Sequence, residues 1–159
     1  MRRQRGIAYY DRKEVVTLEI NVPAEPEAAS EKAAAPVRRV LLLEDSDEFR
    51  EILRDHLVSS RFAVTSVPSG VEGLREIRKG AFDLIICDMM MPRVGGEMFY
   101  WAVTRARPAT AKRFIFITGH QNKPAIDFFF RRVNATVLSK PFQLSELDAT
   151  MKNLLRKLV

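Results

Sequence analysis

Five short apolar runs recur along the chain from residue 39 onward, and they constrain the fold more than any other feature of the sequence. The runs are Val40–Leu43, Phe62–Val67, Leu84–Cys87, Phe114–Ile117 and Thr136–Leu138. They are too short for helices and are rich in Val, Ile and Phe. Continuous apolar runs of this kind favour strands that are buried on both faces of a parallel sheet.

Helical patterns lie between these runs. Ser46 and Ser69 are placed to cap the first two helices, and Glu72 completes an S-x-x-E capping box with Ser69. Gly80 suits the end of the second helix, and Pro124 suits the start of the fourth. The predicted apolar faces of the first and third helices carry Phe49, Ile52, Leu53 and Leu57, and Met98, Trp101 and Ala102. Five strands alternating with five helices predict a doubly wound α/β fold.

The first 37 residues do not follow this pattern. Apolar and polar residues alternate from Val16 to Val22, as in a half-buried strand, and Ile7–Tyr10 is placed to pair with it in a β-hairpin. Pro23–Pro36 is mostly Ala, Glu and Pro, which is typical of a linker. The predicted organisation is an N-terminal extension at 1–22, a linker at 23–37 and a folded domain at 38–159.

Composition excludes several classes of protein. A single cysteine excludes a disulfide framework and a multi-cysteine zinc site, and the presence of only two histidines, His56 and His120, argues against a histidine-rich metal site. No apolar run approaches the ~18–20 residues of a membrane span. The basic N-terminus lacks the apolar stretch of a signal peptide. We therefore expect a cytoplasmic protein without a membrane partner.

The net charge is +6, and residues 39–159 hold 19 Lys and Arg against 14 Asp and Glu. This excess is compatible with binding to nucleic acid or to an acidic partner. However, no run reaches the ~5–6 like charges of a basic arm. The sequence alone therefore favours a solvated basic surface.

Reactive side chains follow four of the five predicted strands. Glu44 and Asp45 follow the first, Asp88 the third, Thr118 and Gly119 the fourth, and Lys140 the fifth. The carboxyl ends of parallel strands form one edge, where open α/β sheets bind their ligands. Three carboxylates at one edge repel unless one is protonated or a cation lies among them.

A hard divalent ion, Mg²⁺ above all, suits such an oxygen-rich site. Lys140 adds positive charge and Thr118 adds a donor, which together suit a phosphoryl group beside the metal. The chain has no glycine-rich nucleotide-binding loop. The predicted nucleophile is therefore a carboxylate, Asp88, which would form an aspartyl phosphate.

Four motifs, in this order and spacing, resemble the receiver domain of two-component response regulators. They are LLLEDSDE (41–48), DLIICDMMMPRVGG (83–96), FIFITG (114–119) and VLSKPF (137–142). The resemblance extends from about Arg38 to Val159. It implies a flavodoxin-like sheet of strand order 2-1-3-4-5 that acts as a phosphoacceptor signalling module.

The resemblance also implies roles for individual residues. Asp45 and Asp88 would bind Mg²⁺ directly, and Glu44 through water. The backbone carbonyl of Met90 would complete the metal ligands. Asp88 would accept phosphate from a histidine kinase or a histidine phosphotransfer protein. Thr118 and Lys140 would hold the phosphoryl oxygens, and the Lys140–Pro141 bond would be cis.

Two features depart from common receivers. Val137 stands three residues before the lysine, where relatives often carry a Tyr or Phe that rotates with the threonine. The chain also ends with the fifth predicted helix, so neither a DNA-binding nor an enzymatic output domain is expected, and the downstream partner is unknown. Met90 and His120 lie two residues past Asp88 and Thr118. Because Met90 cannot hydrogen-bond an attacking water, a long-lived aspartyl phosphate is predicted.

Three alternatives stand beside the phosphoacceptor hypothesis. A phosphate-independent adaptor, a protein-interaction module with the same fold, would usually lose one of the five key side chains. A hydrolase of the aspartyl-phosphate type would need a second acid where Met90 stands, so no enzyme activity is expected beyond self-phosphorylation and slow autodephosphorylation. Thr17–Pro23 (TLEINVP) followed by a linker also suggests the receiver of a hybrid histidine kinase.

Overall fold

The computed structural model describes residues 36–119 and 122–159, together with the backbone of two short strands, Tyr10–Asp11 and Glu14–Val15. These two strands pair antiparallel, with Tyr10 opposite Val15, inside a first unit of the chain at Met1–Ala35. The rest of the predicted hairpin, and the predicted linker up to residue 35, lie outside the described residues. The second unit is Pro36–Val159.

The second unit is built on one parallel sheet of five strands in the order β2-β1-β3-β4-β5. The strands are β1 (Arg39–Leu43), β2 (Ala63–Val67), β3 (Leu84–Asp88), β4 (Phe114–Thr118) and β5 (Thr136–Ser139). The predicted α/β fold and strand order are confirmed. β3 occupies the centre and is buried along its whole length.

Five α-helices connect and follow the strands. They are α1 (Asp47–Ser59), α2 (Gly70–Lys79), α3 (Gly96–Ala106), α4 (Pro124–Val133) and α5 (Leu144–Lys157), with a 3₁₀ helix at Pro108–Arg113 before β4. Among the described residues, every helix is too short or too polar to cross a membrane.

The predicted helix boundaries have local causes. The Ser46 and Ser69 side chains accept hydrogen bonds from the N–H groups of Phe49 and Glu72, which satisfies donors that each helix start leaves unpaired. The Glu72 carboxylate accepts from the Ser69 hydroxyl instead of reaching back to the backbone. Gly80 ends α2 in an extended conformation, and Asn134 ends α4 in the left-handed conformation that this residue tolerates.

The two faces of the sheet carry separate apolar cores. On one face, Leu42 and Ile86 of the central strands pack with Leu53 of α1 and Leu147 of α5. The other core joins the sheet to α2, α3 and α4, with Phe116 and Phe129 in edge-to-face contact at 5.4 Å between ring centroids. Burial on both faces explains why the strands read as continuous apolar runs.

Three helix positions differ from the sequence prediction. Ile52 and Met98, assigned to apolar faces, are 49% and 60% exposed, and Ala102 is exposed as well. Each lies at the edge of a face whose centre is filled by buried neighbours, such as Leu53 and Phe99. On another face of α1, His56 Nε2 lies 2.7 Å from Asp148 Oδ1 and so ties α1 to α5.

Gly73 provides a test of this packing. A Cβ at residue 73 would lie 2.5 Å from Leu43 Cδ2 and 2.9 Å from Phe99 Cε2, two side chains that are fully buried. Helix propensity alone predicts that Gly73→Ala stabilises α2 by ~1 kcal/mol. Overpacking opposes this, so we expect a net loss of ~1–2 kcal/mol in the free energy of unfolding, measured in urea.

Arg75→Ala, at an exposed position of the same helix, is the matched control. We expect it to change the free energy of unfolding by less than ~0.5 kcal/mol. A stabilised Gly73→Ala variant would contradict the packing of α2 against β1 and α3.

Candidate functional site

The carboxyl ends of four strands bring the predicted site residues to one edge of the sheet. Glu44 follows β1, Asp88 and Thr118 end β3 and β4, and Lys140 follows β5. Backbone hydrogen bonds continue past the strands and fix these ends. The Glu44 N–H donates to Val67 O at 3.2 Å, and the Lys140 N–H donates to Thr118 O at 2.8 Å.

Three carboxylates form the centre of this edge. Glu44, Asp45 and Asp88 each offer one oxygen, and these oxygens lie within 4.8 Å of one another. Glu44 is 1% exposed and Asp88 is 5% exposed, whereas Asp45 is open to solvent. The sequence prediction that residues 44, 45 and 88 meet at one point therefore agrees with the geometry.

Lys140 lies between the two buried carboxylates. Its Nζ is 3.1 Å from Glu44 Oε2 and 3.1 Å from Asp88 Oδ2. The remaining oxygens have backbone donors, because the Ser46 N–H reaches Glu44 Oε1 at 3.0 Å and the Met90 N–H reaches Asp88 Oδ1 at 3.1 Å. Each carboxylate is thus held at both of its oxygens.

Burial and neighbouring charges shift the pKa values of Glu44 and Lys140. Burial raises the pKa of Glu44, and the nearby charge of Asp88 raises it further, although the Ser46 N–H and Lys140 act in the opposite direction. Burial lowers the pKa of Lys140, but the charges and hydrogen bonds of Asp88 and Glu44 outweigh this effect and the net shift is upward. The site therefore favours a charged ammonium and penalises a third negative charge.

An aromatic side chain that the sequence did not assign to the site borders Lys140, and a second aromatic ring packs against the first. The ammonium lies 4.9 Å from the centroid of the Phe49 ring, and Phe49 contacts Phe142 edge to face at 5.8 Å. Such a cation–π contact orients the ammonium toward the carboxylates. Periodicity placed Phe49 on the apolar face of α1, and its position one turn after Glu44-Asp45 was the available signal.

The other predicted residues surround this centre. Thr118 is fully buried at the end of β4, and Gly119 leaves space beside Lys140, since an added Cβ would lie 3.9 Å from Lys140 Cβ. Met90 is 44% exposed next to Asp88, while Cys87 is buried and burial raises its thiol pKa well above the ordinary range. His120 lies outside the described residues.

Two further sequence expectations concern the strand that carries Lys140. Val137 is half-buried on β5 opposite Phe116, so the position where relatives carry an aromatic ring holds a small aliphatic side chain. The Lys140–Pro141 peptide bond is cis, as the resemblance implied.

The donor set fits a hard divalent cation. All the side-chain donors among residues 44, 45 and 88 are carboxylate oxygens, the ligands that Mg²⁺ prefers. With the three carboxylates ionised and Lys140 protonated, the cluster carries a charge of −2, which one divalent ion neutralises.

Comparison with known proteins agrees with this geometry. The sequence model of the response regulator receiver domain matches residues 40–152. The transcriptional activator protein PfeR of Pseudomonas aeruginosa is 34% identical over 122 residues, which cover 77% of this chain and 39% of that protein. A probable chemotaxis protein CheY of Rhizobium etli is 29% identical over 72% of this chain and 89% of its own length.

A solved structure gives the same result. The structure of the chemotaxis protein CheY4 of Vibrio cholerae superimposes with a TM-score of 0.64 at 27% identity, covering 77% of this chain and 99% of that one. The chain spans half or less of the length of several relatives, including PfeR. Receiver domains are signalling modules of two-component systems, and this chain belongs to the response regulator receiver domain family.

Proposed function

We propose that this domain accepts a phosphoryl group on Asp88 from a phosphohistidine donor and changes its protein contacts when Asp88 is phosphorylated. The donor is a histidine kinase or a histidine phosphotransfer protein, and the downstream partner is a protein. The observation that carries the proposal is the position of Lys140, whose ammonium contacts both Asp88 and Glu44 at 3.1 Å. A phosphoacceptor needs such a cation beside its carboxylate.

The chemistry is a simple displacement. A carboxylate oxygen of Asp88 attacks the phosphorus of the donor, a new O–P bond forms, and the P–N bond to the imidazole breaks. The electron pair of the broken bond stays on the imidazole nitrogen. The product is an acyl phosphate on Asp88, and water later attacks its phosphorus to return the free carboxylate and inorganic phosphate.

Glu44, Asp45 and Asp88, with the backbone carbonyl of Met90, would hold Mg²⁺. The ion supplies positive charge that offsets the negative charge gathering on the phosphoryl oxygens. Lys140, whose ammonium contacts Phe49 and Asp88, would hold the same oxygens. Thr118, at the end of the neighbouring strand, would donate to a phosphoryl oxygen.

Phosphorylation itself is the first test. After incubation with acetyl phosphate and Mg²⁺, intact mass spectrometry is expected to find one added phosphoryl group on the wild-type chain. Asp88→Asn removes the nucleophile and is expected to gain none. Asp55→Asn, the same change at an exposed carboxylate on α1, is the control and should be phosphorylated as the wild type is.

No gain in the wild type, with acetyl phosphate or with phosphoramidate, would contradict the proposal. The phosphate-independent adaptor would then be the better description of the domain.

Lys140→Met tests the charge balance of the site. Glu44 and Asp88 would lose their shared cation. Without metal at pH 8, we therefore expect the free energy of unfolding to fall by ~1–3 kcal/mol, a value between those of buried and exposed ion pairs. Because the folded-state pKa of Glu44 is already raised, its contribution to stability fades as pH rises. Removing Lys140 raises this pKa further, so the loss should be smaller at pH 5 than at pH 8.

Thermal unfolding at pH 5 and pH 8, in EDTA and in excess Mg²⁺, measures the loss of stability and its pH dependence. Mg²⁺ should increase the stability of Lys140→Met more than that of the wild type. Lys152→Met, at an exposed position of α5, is expected to stay within ~0.5 kcal/mol of the wild type. A pH-independent loss that Mg²⁺ does not reduce would count against the proposed metal site.

Met90 is expected to affect the lifetime of the acyl phosphate. Its backbone N–H donates to Asp88 Oδ1, and its exposed side chain offers no hydrogen bond to an attacking water, whereas Asn at this position would orient one. We expect Met90→Asn to speed the decay severalfold, followed as loss of phosphorylated mass after the donor is removed. Met90→Leu, of similar volume, is the control, and a decay rate of Met90→Asn within twofold of the wild type would refute the idea.

A further inference from the structure

The cations of the receiver unit are concentrated at the end opposite the acidic site. The strands all begin at that end and the helices all finish there, so the topology collects short basic pairs that lie far apart in the sequence. The residues are Arg38, Arg39, Arg61, Arg78, Lys79, Arg105, Arg107, Lys112, Arg113, Arg131, Arg132, Arg156 and Lys157. We refer to these thirteen residues as the basic face.

Acidic side chains are nearly missing from the same segments. Within 36–39, 59–63, 78–83, 105–113, 131–136 and 156–159, Asp83 is the single acidic side chain. Two acids from neighbouring positions also reach these cations, because Glu76 Oε1 lies 2.7 Å from Lys79 Nζ and Asp148 lines one cavity with Arg38 and Arg156. With these three acids counted, the side chains of the face carry a formal charge of +10. The whole unit from 36 to 159 has 20 Lys and Arg against 14 Asp and Glu. The remainder of the unit is therefore net negative, in contrast to the basic face.

Contacts around one loop place several of these cations together. The Arg39 N–H donates to Asp83 Oδ2 at 2.7 Å, and Arg113 NH1 donates to Asp83 O at 3.3 Å. Arg107 NH1 donates to Gly80 O at 2.9 Å, so three arginines from separate elements surround the loop before β3. Twelve of the thirteen residues are exposed, and only Arg113 is half-buried.

Helix ends explain part of this pattern but not all of it. Cations in the last turn of a helix offset the negative end of its dipole, which accounts for Arg78, Lys79 and similar residues. Arg61 follows the C-cap of α1 and belongs to the same class. Arg38 precedes β1 and Arg39 is its first residue, so neither lies at the end of a helix. The excess beyond helix ends indicates a surface that is built for an anionic partner.

We propose that the basic face binds the phosphate backbone of duplex nucleic acid without reading its sequence. Five strands at a spacing of ~4.8 Å make the face ~19 Å wide. A duplex of that length presents ~11 phosphates, which matches the density of positive charge. Ten of the thirteen cations are arginines, whose planar groups pair with phosphate through two parallel hydrogen bonds.

The surface chemistry favours a duplex over a membrane or a single strand. A membrane-binding surface adds Trp, Phe or Leu side chains to its cations. The exposed aromatic side chain among the large hydrophobics of the described residues is Phe128, in the middle of α4. Single-stranded nucleic acid would need exposed aromatic rings for base stacking. The rings in contact with Arg39 and Arg132 are Phe82, which is buried, and Trp101, which is half-buried.

Fluorescence anisotropy with the full chain and a labelled duplex DNA of mixed sequence, ~30 base pairs long, tests the proposal. If about four phosphates are contacted, affinity should fall ~100-fold between ~50 and ~200 mM salt. The triple variant Arg78→Gln, Lys112→Gln, Arg131→Gln removes three exposed cations of the face. It should bind at least ~10-fold more weakly at ~50 mM salt and reduce the salt slope by ~2–3.

A triple variant of equal charge is the control. The control carries three substitutions outside the basic face: Arg54→Gln, Arg75→Gln and Lys123→Gln. We expect it to change the affinity for the duplex less than ~3-fold, since these substitutions reduce only the long-range electrostatic field. Circular dichroism checks the fold of each variant. If the first triple variant does not fold, Arg105→Gln, Lys157→Gln replaces it.

Vesicles of mixed phosphatidylcholine and phosphatidylserine, and polyglutamate, are the competing anions. The proposal is supported if the chain binds the duplex, if the variants of the basic face weaken this binding, and if the control variant leaves it nearly unchanged. Tighter binding to vesicles or polyglutamate, an equal loss in both triple variants, or no binding at ~50 mM salt would overturn it. The binding assay does not involve phosphorylation of Asp88, so the result of the assay is independent of the proposed phosphoacceptor role.

Discussion

Two carboxylates buried beside one ammonium determine how the functional edge of this protein is organised. Glu44 and Asp88 are almost inaccessible to water, and an ionised carboxylate in such a place is costly unless it is paired. Lys140 and two backbone N–H groups provide the pairing. The arrangement leaves excess negative charge at the edge, so the structure is set up to gain stability when a further cation arrives.

The framework around this edge is rigid because its three central strands, β1, β3 and β4, are buried on both faces. β3 carries Asp88 at its end and has β1 and β4 as neighbours, with helices covering both sides. A displacement of Asp88 would disturb packed side chains in both cores. By contrast, Asp45 and Met90 belong to loops and are exposed, so the loops of this edge are more accessible than the strand ends.

Much of this organisation could be predicted from the sequence because local and global signals agree. Apolar runs identified the buried strands, and serines at 46 and 69 marked the helix starts. The rule that parallel strands end at one edge is sufficient to bring Glu44, Asp88 and Lys140 together. Ile52 and Met98 were assigned wrongly because a period of 3.6 identifies a face but not how much of its edge is covered.

Side-chain contacts between residues from distant segments could not be predicted from the sequence. The contact of Phe49 with the Lys140 ammonium joins α1 to the segment after β5, and no spacing rule relates residues 49 and 140. The pairing of His56 with Asp148 is of the same kind. Sequence pattern reports periodicity within an element, whereas such pairs depend on how two elements are aligned in space.

Charge is the clearest case of information that only topology reveals. The sequence shows basic pairs such as Arg38-Arg39 and Arg131-Arg132, none long enough to indicate a binding arm. A parallel βα fold sends every strand start and every helix end to the same side, so these pairs converge there while the carboxylates gather at the helix starts. Helix dipoles favour both choices, because their positive ends face the acidic edge and their negative ends face the cations. The resulting polarity separates the acidic edge from the basic face by the length of the sheet, so the proposed phosphoryl donor and the proposed anionic partner would approach opposite ends.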